Sequence, residues 1–326
     1  PLNNVRKLAA AGNFIYALKY DATVWGWGRN DRGQLGLGRN ASVKVAYATQ
    51  MLAGQQTTST YSDGYIQEIV DIAAGGIDAA HGFGMLVQST YYRRMVFNAK
   101  TNAYEEKRFT LSNNLFAVGD NDKKQISSAE VSAYNLPTSV RSSAGTVAQV
   151  SIGKNAVGFT LAASGAIQAR GMADNYTLGN GSNSGNIGTV DLNNRAMTVA
   201  GGAQNGFAVI FQMEQNDAGN AVRVDEEVTG DLYGWGRNGN SVMKVSDDPV
   251  KRPVKLTDKQ AAIGNPQDRK EQFLVVGGGE SVYYLDGQGR LIMSGANGKG
   301  QIDGPSSPSN TSGTMVSSAL NDNDRV

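Results

Sequence analysis

One phrase of the sequence returns along the chain, and this repetition constrains the fold more than any single residue does. Residues 24–38 read VWGWGRNDRGQLGLG. Degraded copies follow as LFAVGDNDKKQIS (115–127), IQARGMADNYTLG (167–179), LYGWGRNGNSVMK (232–244) and LIMSGANGKGQIDG (291–304). A phrase that recurs at intervals of tens of residues predicts a repeat architecture, in which each copy belongs to one supersecondary unit.

The glycine that anchors each copy sets the length of the repeat. These glycines are Gly28, Gly119, Gly171, Gly236 and Gly295, at spacings of 91, 52, 65 and 59 residues. A propeller blade takes roughly 40–50 residues, so the shorter spacings match one blade with its loops and the longest predicts insertions. Five units use nearly all of the 326 residues.

Each phrase follows two short apolar segments. The first segment ends in Gly, as in VRKLAAAG (5–12), and a second segment and a turn lead into the phrase. A looser element comes afterwards, with Val and Leu close together, as at Val254 and Leu256. Short β-branched runs bounded by Gly, Asn and Asp are typical of strands with tight turns, and no stretch keeps a helical apolar period. The sequence therefore predicts an all-β chain with four short strands per unit, the blade of a β-propeller.

The phrase WGRNDRGQLGLG, with the upstream Ala-Gly segment, resembles the repeat of the RCC1 (regulator of chromosome condensation) family. The resemblance covers about residues 5–304 and is strongest in the first copy, whereas the second and third copies lack both the Trp and part of the Gly-Gln-Leu-Gly. Members of the family usually form seven-bladed rings, so five units are a departure from the family.

The order of the elements is circularly complete, because the N-terminal segment VRKLAAAG supplies the strand that would follow the fifth unit. We therefore expect residues 1–326 to form a single β-propeller domain, a five-bladed ring closed by pairing of the termini. The alternatives are an open segment of a larger ring and a fragment of a longer chain.

Three insertions interrupt the repeats. Residues 89–111 and 211–228 each separate the second apolar segment from its phrase, and both are predicted to form extended hairpins. Residues 39–65 follow the first phrase and are predicted to form a polar loop. Long insertions are usually functional or disordered, and the alternating pattern of 89–111 favours an ordered arm. The alternative is that each hairpin only extends its own blade.

The hairpins supply the candidate partner contacts, because Tyr and Arg favour the centres of protein interfaces. The candidates are Tyr91, Tyr92, Arg93, Arg94, Phe97, Glu105, Arg223, Asp225 and Glu226. A solvated hairpin face is the alternative for these residues. Trp27 and Trp235 occupy the same position of the repeat, so they are predicted to pack between blades rather than to bind a ligand.

The sequence carries no recognisable motif for catalysis, a cofactor or a metal. His81 is the only histidine and Cys is absent, so a catalytic triad would depend on His81 and a zinc site lacks a recognisable ligand set. In its Gly-rich segment His81 is predicted to be structural. Acidic pairs such as Asp120 and Asp122 do not match an EF-hand loop, and weak calcium binding is the alternative.

Composition separates the classes of function. Lys and Arg total 30 against 29 Asp and Glu, so no global charge attracts nucleic acid or an anionic membrane. No transmembrane run and no secretory signal is present in the sequence. Charged residues make up only 18% of the chain, which is rich in Asn, Gly, Ser and Thr. Virion proteins often share this composition, and so do bacterial surface proteins.

We therefore expect a non-catalytic propeller scaffold for protein–protein assembly or adhesion, in the form of a tail, fibre or decoration protein of a phage or virus particle. The expected location is the virion or the extracellular space. The expected partners are other protein subunits of an assembly or a host-surface receptor, without cofactor, nucleic acid or membrane insertion.

The family resemblance implies an alternative function. The founding member of the family is a guanine-nucleotide exchange factor that acts through a hairpin wedge and one acidic face. Residues 89–111 are then the candidate wedge of a small-GTPase regulator. Against this alternative, the chain has fewer units and no strongly acidic set at the predicted turns. An enzyme is the third class, for which the sequence names no convergent pair of acids.

Overall fold

The computed structural model describes most of the chain. The described residues are 2–38, 41–51, 59–60, 65–76, 78, 81–140, 145–154, 157–193, 196–211, 213–215, 221–223, 230–243, 245–256, 275–278, 281–285, 291–296 and 316–317. They form strands and two short 3-10 turns, Asp174–Tyr176 and Gly239–Ser241. Among them there is no helix with the length and apolar character needed to span a membrane. The chain divides into two compact units, residues 1–150 and 151–326.

The first sheet of the first unit has four antiparallel strands in chain order. They are β1 (Val5–Ala11), β2 (Phe14–Lys19), β3 (Val24–Arg29) and β4 (Lys44–Gln50). The repeat phrase supplies β3 and the turn after it. Strand β4 lies within residues 39–65, which the sequence assigned to an inserted loop. That part of the segment instead completes the blade, by pairing with β3 from Trp25 to Arg29.

The second sheet of this unit has five strands in chain order. They are β5 (Ser59–Thr60), β6 (Ile66–Gly76), β7 (Gly82–Asn98), β8 (Ala103–Asp120) and β9 (Ala133–Val140). Strands β7 and β8 are far longer than their neighbours because they contain residues 89–111. Their antiparallel register runs from Phe83 opposite Gly119 to Asn98 opposite Ala103, with one bulge after Thr90.

The third sheet begins where the two compact units divide. Its strands, in chain order, are β10 (Val147–Ile152), β11 (Val157–Ala162), β12 (Ile167–Gly171) and β13 (Ile187–Thr189). The boundary between residues 150 and 151 falls within β10. The other strands of this sheet belong to the second unit.

The fourth and fifth sheets also have four strands each. The fourth segment of the chain contains β14 (Ala196–Gly201), β15 (Asn205–Phe211), β16 (Met213–Gln215), β17 (Ala221–Arg223), β18 (Gly230–Gly236) and β19 (Val250–Lys255). Its sheet has the order β14-β15-β18-β19, and β16 and β17 pair as a separate two-stranded ribbon. The fifth sheet comprises β20 (Val275–Gly278), β21 (Ser281–Leu285), β22 (Leu291–Gly295) and β23 (Val316–Ser317).

In each of the two compact units, the hydrophobic core lies between neighbouring sheets. In the first unit, Phe14 and Tyr16 of β2 pack with Ile72 of β6 and Phe116 of β8. Alternate residues of a strand point to opposite faces, so a few apolar positions per strand suffice to fill such a core. The all-β prediction is therefore confirmed, and each of the five sheets except the second has the four short strands expected for one repeat.

In the second compact unit, residues 151–326, the position of the phrase that Trp235 occupies is a packing position. Trp235 is fully buried, its ring meets Phe159 edge-on at 5.6 Å between centroids, and its Nε1 donates a hydrogen bond to the Thr177 carbonyl at 2.9 Å. Because Trp235 belongs to β18 and Phe159 to β11, this side chain joins two sheets. Trp27, at the same position of the first copy, is only half-buried.

The anchoring glycines explain why the phrase recurs. All five have φ between +92° and +119°, a left-handed backbone that disfavours any side chain. At Gly28 a Cβ atom would also lie 2.3 Å from the Asn13 carbonyl oxygen. The phrase therefore positions the end of the third strand and the turn that follows it.

An asparagine two residues after that glycine holds the turn together. In three copies its Oδ1 accepts a hydrogen bond from the backbone N–H five residues later, at 2.8–2.9 Å. These pairs are Asn30 with Leu35, Asn121 with Ile126, and Asn238 with Met243. Each side-chain amide also donates to carbonyl groups further along the loop. A local polar side chain thus replaces secondary structure in satisfying this buried backbone.

The single-domain organisation of residues 1–326 and the closure of the ring by its termini stay predictions.

Candidate functional site

The part of the second sheet that extends beyond its neighbours is a two-stranded arm. Strand β6 accompanies β7 only as far as Tyr91, and β9 pairs with β8 only from Leu115 onward. Residues 92–109 therefore form a hairpin of their own, from Tyr92 opposite Phe109 to the turn after Asn98. We call residues 92–109 the arm.

Cross-strand side-chain pairs hold the arm in register. The rings of Tyr92 and Phe109 stack with their centroids 5.2 Å apart, near the base. Near the tip, Phe97 and Tyr104 meet edge-on at 5.4 Å. Such pairs stabilise a β-ribbon by roughly 0.2–1 kcal/mol each. A two-stranded ribbon is marginal in isolation, so the arm also depends on its anchor in the sheet.

The anchor is a compact group of polar and aromatic side chains at the base. The Arg108 guanidinium lies 3.6 Å from the centroid of the buried Tyr91 ring and donates to the Ser89 hydroxyl at 2.7 Å. The Glu68 carboxylate accepts hydrogen bonds from Arg108 at 2.6 Å and from the Tyr91 hydroxyl at 3.1 Å. Because Glu68 belongs to β6, these contacts connect both strands of the arm to the adjacent strand.

The tip of the arm presents apolar side chains to solvent. Met95, Phe97 and Tyr104 are 54%, 51% and 68% exposed. They share one face, because Phe97 lies directly opposite Tyr104 and Met95 is two residues before Phe97. Exposed aromatic and Met side chains clustered on an ordered element are typical of protein-interaction surfaces.

The other face of the arm carries a basic pair. Arg94 lies directly opposite Lys107, and both are exposed. Within the described part of the chain neither of them forms an ion pair. Like charges in directly opposed positions destabilise a sheet, so this pair favours a partner with acidic groups.

The structure separates the sequence candidates into three groups. Tyr92, Arg93, Arg94, Phe97 and Glu105 all lie on the arm. Arg93 forms an ion pair with Glu106 at 3.2 Å, and Glu105 accepts a hydrogen bond from Asn98 at 2.6 Å. Each of these two side chains therefore already has a partner within the arm.

The structure corrects the prediction that Tyr91 is a partner contact. Its side chain is 1% exposed, because Arg108 covers the ring, and it therefore supports the arm rather than contacting a partner. Arg223 lies in β17, opposite Met213. Asp225 and Glu226 lie outside the described residues.

The structure also brings together residues that sequence spacing did not connect. His81, predicted as a structural residue, lies beside Asp120 and Asp122, with one ligand atom of each within 4.8 Å of the others. Burial raises the pKa of the Asp120 carboxyl, the Gln125 hydrogen bond opposes that rise, and the neighbouring Asp122 adds to it. The residues lie about 40 positions apart in the sequence, so only the β7–β8 register reveals the group.

The family model of the regulator of chromosome condensation (RCC1) repeat matches residues 21–76 of the chain. The matched segment contains the first phrase and the start of the second unit of the repeat. Among curated proteins no significant match is found.

Solved structures are similar to the chain over nearly its full length. Human WBSCR16 is 18% identical, with a TM-score of 0.63 and coverage of 96% of this chain and 66% of that one. Yeast RCC1 (Prp20), bound to Kap60, is 14% identical, with a TM-score of 0.49 and coverage of 97% and 75%. A structure of Prp20p from Saccharomyces cerevisiae, studied with its binding to Gsp1p and histones, is 14% identical, with a TM-score of 0.47 and coverage of 97% and 77%.

The likeness to WBSCR16 concerns the fold, since the identity is low, and the chain spans 66% of the length of that protein. The repeated phrase, the left-handed glycine in each copy and the four-stranded antiparallel sheets agree with the matched repeat and with this fold. The chain therefore has an RCC1-like β-propeller fold.

Proposed function

We propose that the chain is a non-catalytic protein-interaction scaffold that uses the arm to bind a neighbouring protein subunit of an assembly. The observation that carries this proposal is the ordered arm with its exposed apolar tip. Burying Met95, Phe97 and Tyr104 in a partner would remove apolar surface from water, at roughly 25 cal/mol per Å².

The arm suits a protein partner because its shape is largely formed before binding. Its rings are paired across the strands, and Arg108 and Glu68 fix its base. A partner therefore loses little affinity to ordering of the arm. The Arg94–Lys107 pair adds a preference for an acidic neighbouring surface, which affects the association rate more than the affinity.

The specific assembly that we propose is a phage or virus particle, in which the chain is a tail, fibre or decoration protein. The low fraction of charged residues, the absence of Cys and the abundance of Gly support this assignment by composition. If the arm lies on the outer surface of the particle, its partner is a receptor on the host surface.

Shortening the arm tests the proposal. Replacing residues 95–106 by Asn-Gly joins Arg94 to Lys107 through a tight turn and keeps the Arg108 anchor. We expect the shortened chain to stay folded by circular dichroism and to lose incorporation into the particle. Incorporation equal to that of the wild type would refute the role of the arm.

The small-GTPase regulator is the competing function, because a projecting hairpin can also act as a wedge. Release of labelled GDP from a panel of small GTPases distinguishes the two functions. We expect no acceleration by the full chain. Acceleration that disappears with the shortened arm would replace the scaffold proposal by that of an exchange factor.

A further inference from the structure

Three side chains with metal-binding groups meet at the end of the second sheet opposite the tip of the arm. His81 directly precedes β7, Asp120 is the last residue of β8, and Asp122 follows in the next turn. Phe83 lies opposite Gly119, so the chain just before Phe83 and the chain just after Gly119 meet at the same end of the sheet. One ligand atom from each of the three side chains lies within 4.8 Å of the others.

Asp120 carries the strongest indication of a ligand. The residue has no exposed surface, and its Oδ2 accepts a hydrogen bond from Gln125 Nε2 at 2.8 Å. Its Oδ1 is buried and accepts no hydrogen bond from any described residue. The Arg32 Nε atom lies 3.8 Å from Oδ1, which is beyond hydrogen-bond distance. A buried carboxylate oxygen without a partner is costly, so its presence here points to a group that is meant to bind it.

His81 is oriented toward the same point. Its Nδ1 lies 2.9 Å and 3.0 Å from the two carboxylate oxygens of Asp78, and its Nε2 lies 3.9 Å from Asp122 Oδ2. A metal-binding histidine usually donates its second ring N–H to a carboxylate, which fixes the tautomer and the ring. Asp78 is placed to do this, leaving Nε2 to face Asp122.

The local charge favours a divalent cation. Asp78, Asp120 and Asp122 supply three carboxylates, and Arg32 supplies one positive charge, with its Nη2 3.2 Å from Asp122 Oδ2. Arg29 also acts on Asp78, and its charge is balanced by its partner Asp31. With the imidazole counted as neutral, an excess of two negative charges is left. Arg32 neutralises only one of the three carboxylates, and it competes with a bound cation for Asp122.

The first copy of the phrase shows how the second copy differs. Arg29 and Asp31 occupy the positions of Asp120 and Asp122, and they pair with each other at 2.6 Å between Nη2 and Oδ2. In the second copy an acidic residue replaces the arginine, so Asp122 faces a like charge instead. This exchange breaks the ion pair of the repeat and creates a set of oxygen ligands.

We propose that His81, Asp120 and Asp122 bind a divalent transition-metal ion, of which Zn²⁺ is the best fit, while Asp78 orients the imidazole. One nitrogen and two carboxylate oxygens at one point are typical of such ions, and three protein ligands leave a fourth position for water. Binding of the ion detaches Arg32 from Asp122. The site is independent of the proposed function of the arm.

Isothermal titration of the full chain with ZnCl2 tests the site. We expect one Zn²⁺ per chain and a rise in melting temperature with Zn²⁺. His81→Gln and Asp122→Asn should each weaken binding at least tenfold, since each removes a ligand, and Arg32→Met should strengthen it by removing the competing cation. Asp191→Asn is the control, because it removes a carboxylate that pairs with Arg252 in another part of the chain, and it should bind Zn²⁺ as the wild type does.

The only histidine of the chain gives a second readout. Its imidazole NMR signals should shift on addition of one equivalent of Zn²⁺ and not on addition of Mg²⁺. Asp122→Asn keeps the test valid if His81→Gln does not fold. Absence of saturable Zn²⁺ binding by the wild type, or binding by Asp122→Asn that equals that of Asp191→Asn, would overturn the proposal.

Discussion

At the scale of single residues, the glycine of the repeated phrase is essential for a reason that Gly28 shows most clearly. It combines φ of +103° with a backbone oxygen 2.3 Å from the place of a Cβ atom. Gly145 has φ of +91° with no atom within 4 Å of that place, so it is a matched control for the left-handed backbone alone. We expect Gly145→Ala to lower the free energy of unfolding by about 1–2 kcal/mol and Gly28→Ala to lower it further by at least that amount. Urea titrations of both variants measure the difference, and equal losses would show that close approach is unimportant.

The asparagine of the phrase should matter nearly as much. Asn238 accepts a hydrogen bond from the Met243 N–H at 2.8 Å and donates to the carbonyls of Val245 and Asp247 at 2.8 Å and 3.0 Å. Asn238→Ala leaves these backbone groups without partners, and we expect a loss of about 2–3 kcal/mol in thermal or urea unfolding. Asn3→Ala, at an exposed position, should leave stability within about 0.5 kcal/mol of the wild type. A small effect of Asn238→Ala would mean that water satisfies the loop.

At the scale of elements, the arm depends on the anchor at its base. Arg108→Ala removes the contact with the Tyr91 ring and the hydrogen bonds to Glu68 and Ser89. We expect roughly fivefold faster hydrogen exchange of the arm amides, which corresponds to a loss of about 1 kcal/mol. Arg94→Ala, which removes an exposed arginine of the arm from the position opposite Lys107, should change exchange much less. Equal exchange in the two variants would show that the anchor does not order the arm.

The elements also show what a sequence of this kind reveals. The phrase and the alternating apolar runs are local signals, so the strands and the left-handed glycines follow from them. The burial of Tyr91 depends on Arg108 and Glu68, which reach it from two other strands. The proximity of His81 and Asp120 depends on the register of two strands, 39 residues apart along the chain. Such contacts leave no spacing pattern in the sequence.

At the scale of the whole molecule, repeated blades have diverged in the parts that the phrase does not cover. The second sheet is the most specialised, since it carries both the arm and the His81 group, at opposite ends of β7 and β8. The fourth sheet has its own insertion at the equivalent place, where β16 and β17 separate β15 from β18. The framework is therefore shared among the copies, and the proposed interactions belong to single copies.

The tip of the arm is the point at which the scaffold proposal is tested most directly. A photo-crosslinking residue at position 104, in the chain produced in its natural setting, identifies the neighbouring protein by mass spectrometry. The affinity of that purified protein is then measured for the wild type, for Phe97→Ser with Tyr104→Ser, and for Tyr47→Ser. Tyr47 is 84% exposed and lies on β4, in a different sheet from the arm, so its replacement is the control for the loss of an exposed aromatic side chain.

We predict that the crosslinked protein is a structural subunit of the same assembly. The double variant should bind it at least tenfold more weakly, because hot-spot aromatic residues contribute more than about 1 kcal/mol each. Tyr47→Ser should bind it as the wild type does. Equal affinity of all three chains for the crosslinked protein would contradict the proposal that the arm is the interaction site.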